Sequence, residues 1–130
     1  PETPEAYPDR VLTQAEYFGI TSNQAVDLGK KAKYFTFDHL AQPFTVVTSY
    51  RDAMGASTMQ RFYAFITTES DEDLAMLLVS NGLARVHGAG VPSDISFPKK
   101  GTNGDYKHAL YTAQKYAKDQ KLGGWGYPKE

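Results

Sequence analysis

Apolar and polar positions alternate between two periods along the chain, and the change of period marks its elements. Arg61-Phe62-Tyr63-Ala64-Phe65-Ile66 is an aromatic and branched run suited to a pleated, partly buried strand. The acidic turn Glu69-Ser70-Asp71-Glu72-Asp73 follows and supplies N-cap candidates and charge suited to a helix start. Leu74, Leu77, Leu78 and Leu83 then recur at helical spacing, which predicts a helix of about three turns. Asn81-Gly82 is its stop, with Gly82 free to take the left-handed conformation. Ala84-Arg85-Val86-His87-Gly88 reads as a short further strand.

The remaining elements follow from the same patterns. Residues 1–9 hold three of the seven prolines and predict an irregular, extended start. Residues 9–18 form a short helix with Val11, Leu12, Ala15 and Phe18 on one side, ended by Gly19. Thr21 or Ser22 caps a longer helix with Ala25, Leu28, Ala32, Phe35, Phe37 and Leu40 as core candidates. Lys30, Lys31 and Lys33 give it a solvated basic side, Gly29 offers a place to divide it, and Pro43 stops it.

Phe44 to Ser49 is a strand by its β-branched content, and the small, polar residues 51–60 connect it to the Arg61 strand as an antiparallel pair. Residues 89–104, rich in glycine and proline, make a long loop. A last helix runs from Asp105 to Gln120, with Ala109, Leu110, Ala113, Tyr116 and Ala117 inward and Lys107, Lys115 and Lys118 in water. Trp125, within Leu122 to Gly126, anchors the tail.

Composition narrows the function classes. One hundred and thirty residues fit one domain, large enough to bury roughly two thirds of its unfolded surface. A formal net charge of −1 gives no global basic signature, so any contact with nucleic acid must use a local patch. The chain has no cysteine, which excludes disulfides and thiolate chemistry. No apolar run reaches the ~18 residues of a membrane helix, so no membrane role is expected.

The candidate chemistry is sparse. His39, His87 and His108 show no metal-ligand spacing; His87, beside the glycine loop, is the least ordinary of them. The acidic run 69–73 is better explained as a helix start than as a metal cluster. Gly88-Ala89-Gly90 is too short for a phosphate loop and leads into no helix. Lys99 and Lys100, with the lysines of the last helix, offer a local basic surface. Arg61 is either a plain strand-end residue or a two-point phosphate ligand, for which a guanidinium is the best-shaped side chain.

Arg61 through Gly88, the closing string Ala113 to Leu122 and Trp125 together resemble the staphylococcal nuclease-like (thermonuclease) family. Pro1-Glu2-Thr3 looks like the end of that family's Asp-x-Pro-Glu-Thr motif, and Ala32 to Thr36 resembles the start of its first helix. The likeness covers most of the chain and is specific as an ordered set. It implies an α+β fold, an OB-like barrel with three or four helices, spanning residues 1–130 as a single domain. It also implies calcium-dependent hydrolysis of DNA or RNA phosphodiesters. A glutamate acts on water in that chemistry, and two arginines stabilise the charge of the transition state. On this matching Glu2 takes the glutamate position, with Glu5 as its rival, and Arg61 takes the second arginine position.

Two departures qualify the likeness. An insertion with an extra helix occupies about residues 4–28. Gly88 and Gly90 stand where the family has nucleotide-stacking tyrosines, leaving Tyr50 or Tyr7 to stack. The family's first strands, calcium-binding aspartates and first arginine precede the Pro-Glu-Thr motif. They are therefore expected upstream of residue 1 or from a second copy, as in a strand-exchanged homodimer. The expected partner is single-stranded DNA or RNA, contacted by Tyr50, His87, Lys99 and Lys100. A catalytically inactive OB-fold module that binds nucleic acid or protein is the alternative. The compartment stays open, with a secreted or periplasmic setting preferred.

Overall fold

The computed structural model describes residues 8–52, 62–87 and 103–128, with side chains for 8–48, 64–87 and 104–128. The order is α1 (Pro8–Phe18), α2 (Ser22–His39), β1 (Thr45–Asp52), β2 (Phe62–Thr67), α3 (Leu74–Ser80), α4 (Asn103–Asp119) and a closing 3-10 turn, Gly123–Gly126. The architecture is α+β.

The first two helices form because their ends are written locally. Pro8 opens α1 at the position where a missing N–H costs nothing. Gly19, at φ 68°, ends it while Ile20 N–H donates to the Ala15 carbonyl. Thr21 caps α2 with a reciprocal pair: Gln24 N–H donates to Thr21 Oγ1, and Thr21 N–H donates to Gln24 Oε1. Gly29 does not divide α2. The helix ends at His39, before the Pro43 stop, whose ring would clash with the carbonyl of residue 39 if the helix ran on.

Burial follows the i, i+4, i+7 and i, i+3, i+7 stripes narrowly. Val11, Ala15 and Phe18 of α1 and Ala25, Leu28 and Ala32 of α2 are buried; Val11, Ala15 and Ala25 form one cluster, with Ile20 and Val26 packed against it. Leu12, Phe37 and Tyr116, expected inside, are exposed; Leu12 and Tyr116 each stand one residue, about 100°, from a buried Val11 or Ala117. Phe37 lies off the Ala25–Leu28–Ala32 row.

β1 and β2 pair antiparallel from Thr45↔Thr67 to Ser49↔Tyr63, then jump to Asp52↔Phe62. Three steps on β1 thus face one on β2, so Tyr50 and Arg51 form a bulge at the end where β2 begins. This two-stranded sheet is the only one among the described residues. These two strands do not show the OB-like barrel expected from the resemblance.

α3 is shorter than its leucine pattern predicts, ending at Ser80 with Asn81 as cap. Asp73 starts it, accepting from Met76 N–H at 3.0 Å. The run 84–88 is not a strand as far as it is described: residues 84–87 are irregular, and Gly88 lies outside the described residues. Val86 N–H donates to the Gln114 side chain at 3.3 Å.

The tail closes the helical layer. Trp125 packs against Phe18 at 4.7 Å between ring centroids and against Tyr17 at 5.8 Å, with Lys118 Nζ 4.6 Å from its ring. Gly82 and Gly123, both at positive φ, cross so closely that a Cβ on Gly82 would stand 2.2 Å from the Leu122 carbonyl oxygen. Gly124 N–H donates to the Gly82 carbonyl at 2.9 Å across that crossing.

Candidate nucleic-acid site

The residues singled out by sequence fall mostly beyond the description. Glu2, Glu5, Arg61, Lys99 and Lys100 lie outside the described residues. Tyr50 is placed by its backbone in the β1 bulge, opposite the Tyr63–Phe62 step. His87 is exposed at the end of the irregular segment 84–87. Arg61 adjoins Phe62, the first residue of β2, so the strand end beside it is the bulged end. Bulges re-aim side chains and are frequent beside active sites.

Two polar nodes, which the sequence reading did not single out, tie distant elements together. Gln114 Oε1 accepts from Tyr17 O–H at 2.6 Å and from Val86 N–H at 3.3 Å. One amide thereby ties α1, α4 and the segment that leads to His87. Arg85 stands over the Tyr17 ring at 5.7 Å. The signal was present in the α4 pattern: Gln114 sits four residues after Leu110 and three before Ala117, a polar residue on the apolar row.

The second node joins β2, α3 and α4. Tyr106 O–H donates to the Asp73 carboxylate, 3.0 Å from Oδ2, and its ring meets Phe65 edge-on at 5.6 Å. Burial, with the neighbouring Asp73 charge and hydrogen bond, holds the phenol protonated well above its ordinary range. The cap at Asp73 and the turn at Thr68, where Thr68 Oγ1 accepts from Glu72 N–H, use the acidic run structurally.

Calcium takes six to eight oxygen ligands. No group of three or more histidines and carboxylates that could hold a metal stands among the described residues. The described residues do not fit the ion. A groove of about 370 Å³ beside Asp71, Glu72 and Asp73 is rimmed by negative charge, which disfavours a phosphate.

A family model, described as staphylococcal nuclease homologue, matches residues 2–127. The chain belongs to this family. The match spans the Glu2 end of the Pro-Glu-Thr string, the Arg61 strand and the Trp125 tail in one run. Members of the staphylococcal nuclease family are in general nucleases that act on nucleic acids, commonly with calcium. A comparison with curated proteins returned no match. No helix among the described residues is long and apolar enough to cross a membrane.

Proposed function

We propose that the protein hydrolyses phosphodiester bonds in DNA or RNA, with single strands as the preferred substrate and calcium as the metal. The family match over residues 2–127 carries the reading. Glu2, or its rival Glu5, removes a proton from the attacking water. Arg61, at the bulged strand end, grips the phosphate through two N–H donors and stabilises charge that grows in the transition state. Tyr50 and His87 contact the nucleotide, and Lys99 and Lys100 the backbone. The calcium ligands and the family's first arginine are supplied from outside residues 1–130, by further chain or by a strand-exchanged copy.

The experiment is cleavage of a single-stranded oligonucleotide by the intact protein with calcium, and by its Arg61→Ala variant. Loss of one preorganised donor set predicts a fall of about 100- to 1,000-fold in kcat. An intact protein that binds the oligonucleotide and never cuts it would make the domain a binding module instead.

A further inference from the structure

We infer that Gln114 is a positioning residue for the nucleotide contact, set by the Tyr17 hydroxyl and acting through the segment that carries His87. The inference rests on the contact proposed above for His87. Residues 84–87 join neither strand of the sheet, and among the described residues their backbone makes one hydrogen bond. It runs from Val86 N–H to Gln114 Oε1 at 3.3 Å, and Val86 directly precedes His87. A strand ladder would have fixed this stretch through several backbone groups. Here a single amide on α4 stands in for it.

The amide is itself held. Tyr17 O–H donates to the same oxygen at 2.6 Å, which fixes the rotation of the Gln114 side chain. Tyr17 is fixed in turn by its place on α1, where the neighbouring Phe18 is buried, and by the Trp125 ring at 5.8 Å. The Tyr17 ring also takes the Arg85 guanidinium at 5.7 Å. Arg85 and Val86, the two residues before His87, are thus tied to one side chain of α1, the first directly and the second through Gln114.

His87 is exposed at the end of this tether. Its imidazole can donate to a phosphate or stack on a base, and a side chain without a settled place loses affinity to the ordering that binding requires. Fixing the backbone one residue before His87 supplies part of that order in advance. A residue that only packed would be replaced as well by leucine, because Val86 is half-buried and its N–H would turn to water. Positioning and packing therefore predict different results.

The test is a double-mutant cycle on the affinity of the intact protein for a labelled 20-nucleotide poly-dT, calcium chelated so that nothing is cut. His87→Ala and Gln114→Leu should each weaken binding about 3- to 10-fold, the worth of roughly one hydrogen bond. In the His87→Ala background, Gln114→Leu should change affinity by less than about twofold, because its effect passes through His87. Gln114→Glu accepts both bonds and guards against a leucine variant that fails to fold; it should still lose affinity on His87→Ala. Tyr17→Phe, which keeps the ring beneath Arg85 and frees the amide, should give a smaller loss that likewise vanishes without His87. Gln114→Leu binding within about twofold of the parent, or losses that multiply independently of His87, overturn the inference and leave the His87 contact standing. His87→Ala binding as the parent does removes the contact itself, and the inference with it.

Discussion

The helical layer and the two-stranded sheet are held by different means. In the helices every element is fastened to a distant one: Phe18 and Trp125 interlock, Gly82 and Gly123 cross at backbone contact, and Gln114 joins α1 to the segment before His87. The sheet has its ladder, one buried ring at Phe65 and the Tyr106 contact, while Val46 and Val47, on opposite faces of β1, are both substantially exposed. Residues 8–39 and 103–128 are thus cross-linked at several distant points, while the described part of the sheet has fewer such ties.

The comparison breaks first at Phe18. Phe18→Ala removes a ring 4% exposed and should cost about 3–5 kcal/mol in urea unfolding; a cost below 1 would mean that the tail does not lock the helices. Gly82→Ala comes next, at about 3 kcal/mol, from a left-handed φ and a Cβ driven into backbone. A near-neutral result would show that the crossing is loose.

Tyr106→Phe should cost about 1.5–3 kcal/mol at neutral pH, the net worth of one hydrogen bond to a carboxylate. It also has a pH signature. Because folding raises the Tyr106 pKa, the folded state holds that proton more tightly than the unfolded chain. The stability it contributes is full below the phenol's ordinary value near 10 and falls as pH rises beyond it. Removing the hydroxyl should flatten that alkaline decline, measured by Tm between pH 9 and 11. The smallest effect is expected in the sheet: Val46→Thr should change stability by less than about 0.5 kcal/mol. A loss above 1 kcal/mol would show that β1 is covered in the working protein.

Some of the reading failed for reasons of geometry. Leu12, Phe37 and Tyr116 are apolar enough for a core, yet an angular offset of about 100° takes Leu12 and Tyr116 off the buried rows, and Phe37 lies beside its row. The segment 84–87 has a strand-like composition, but the partner for Val86 N–H turned out to be a side chain on α4. For the site, Arg61 and Glu2 are proposed through family likeness alone, since isolated residue types do not reveal phosphate chemistry, and both lie outside the described residues. Gln114 and Tyr106 were not legible as nodes.

What the sequence determined by itself was local or collective. The caps at Thr21 and Asp73 and the stop at Gly19 depend on residues within a few positions, where steric and hydrogen-bonding rules act directly. Membership of the family rests on an ordered set of strings along the whole chain. The tertiary structure decided which distant groups meet. Tyr17 and Gln114 are 97 residues apart, and Asp73 and Tyr106 are 33 apart. Such bonds form only after the intervening chain has been brought together by burial of apolar rows, so no local pattern announces the partner.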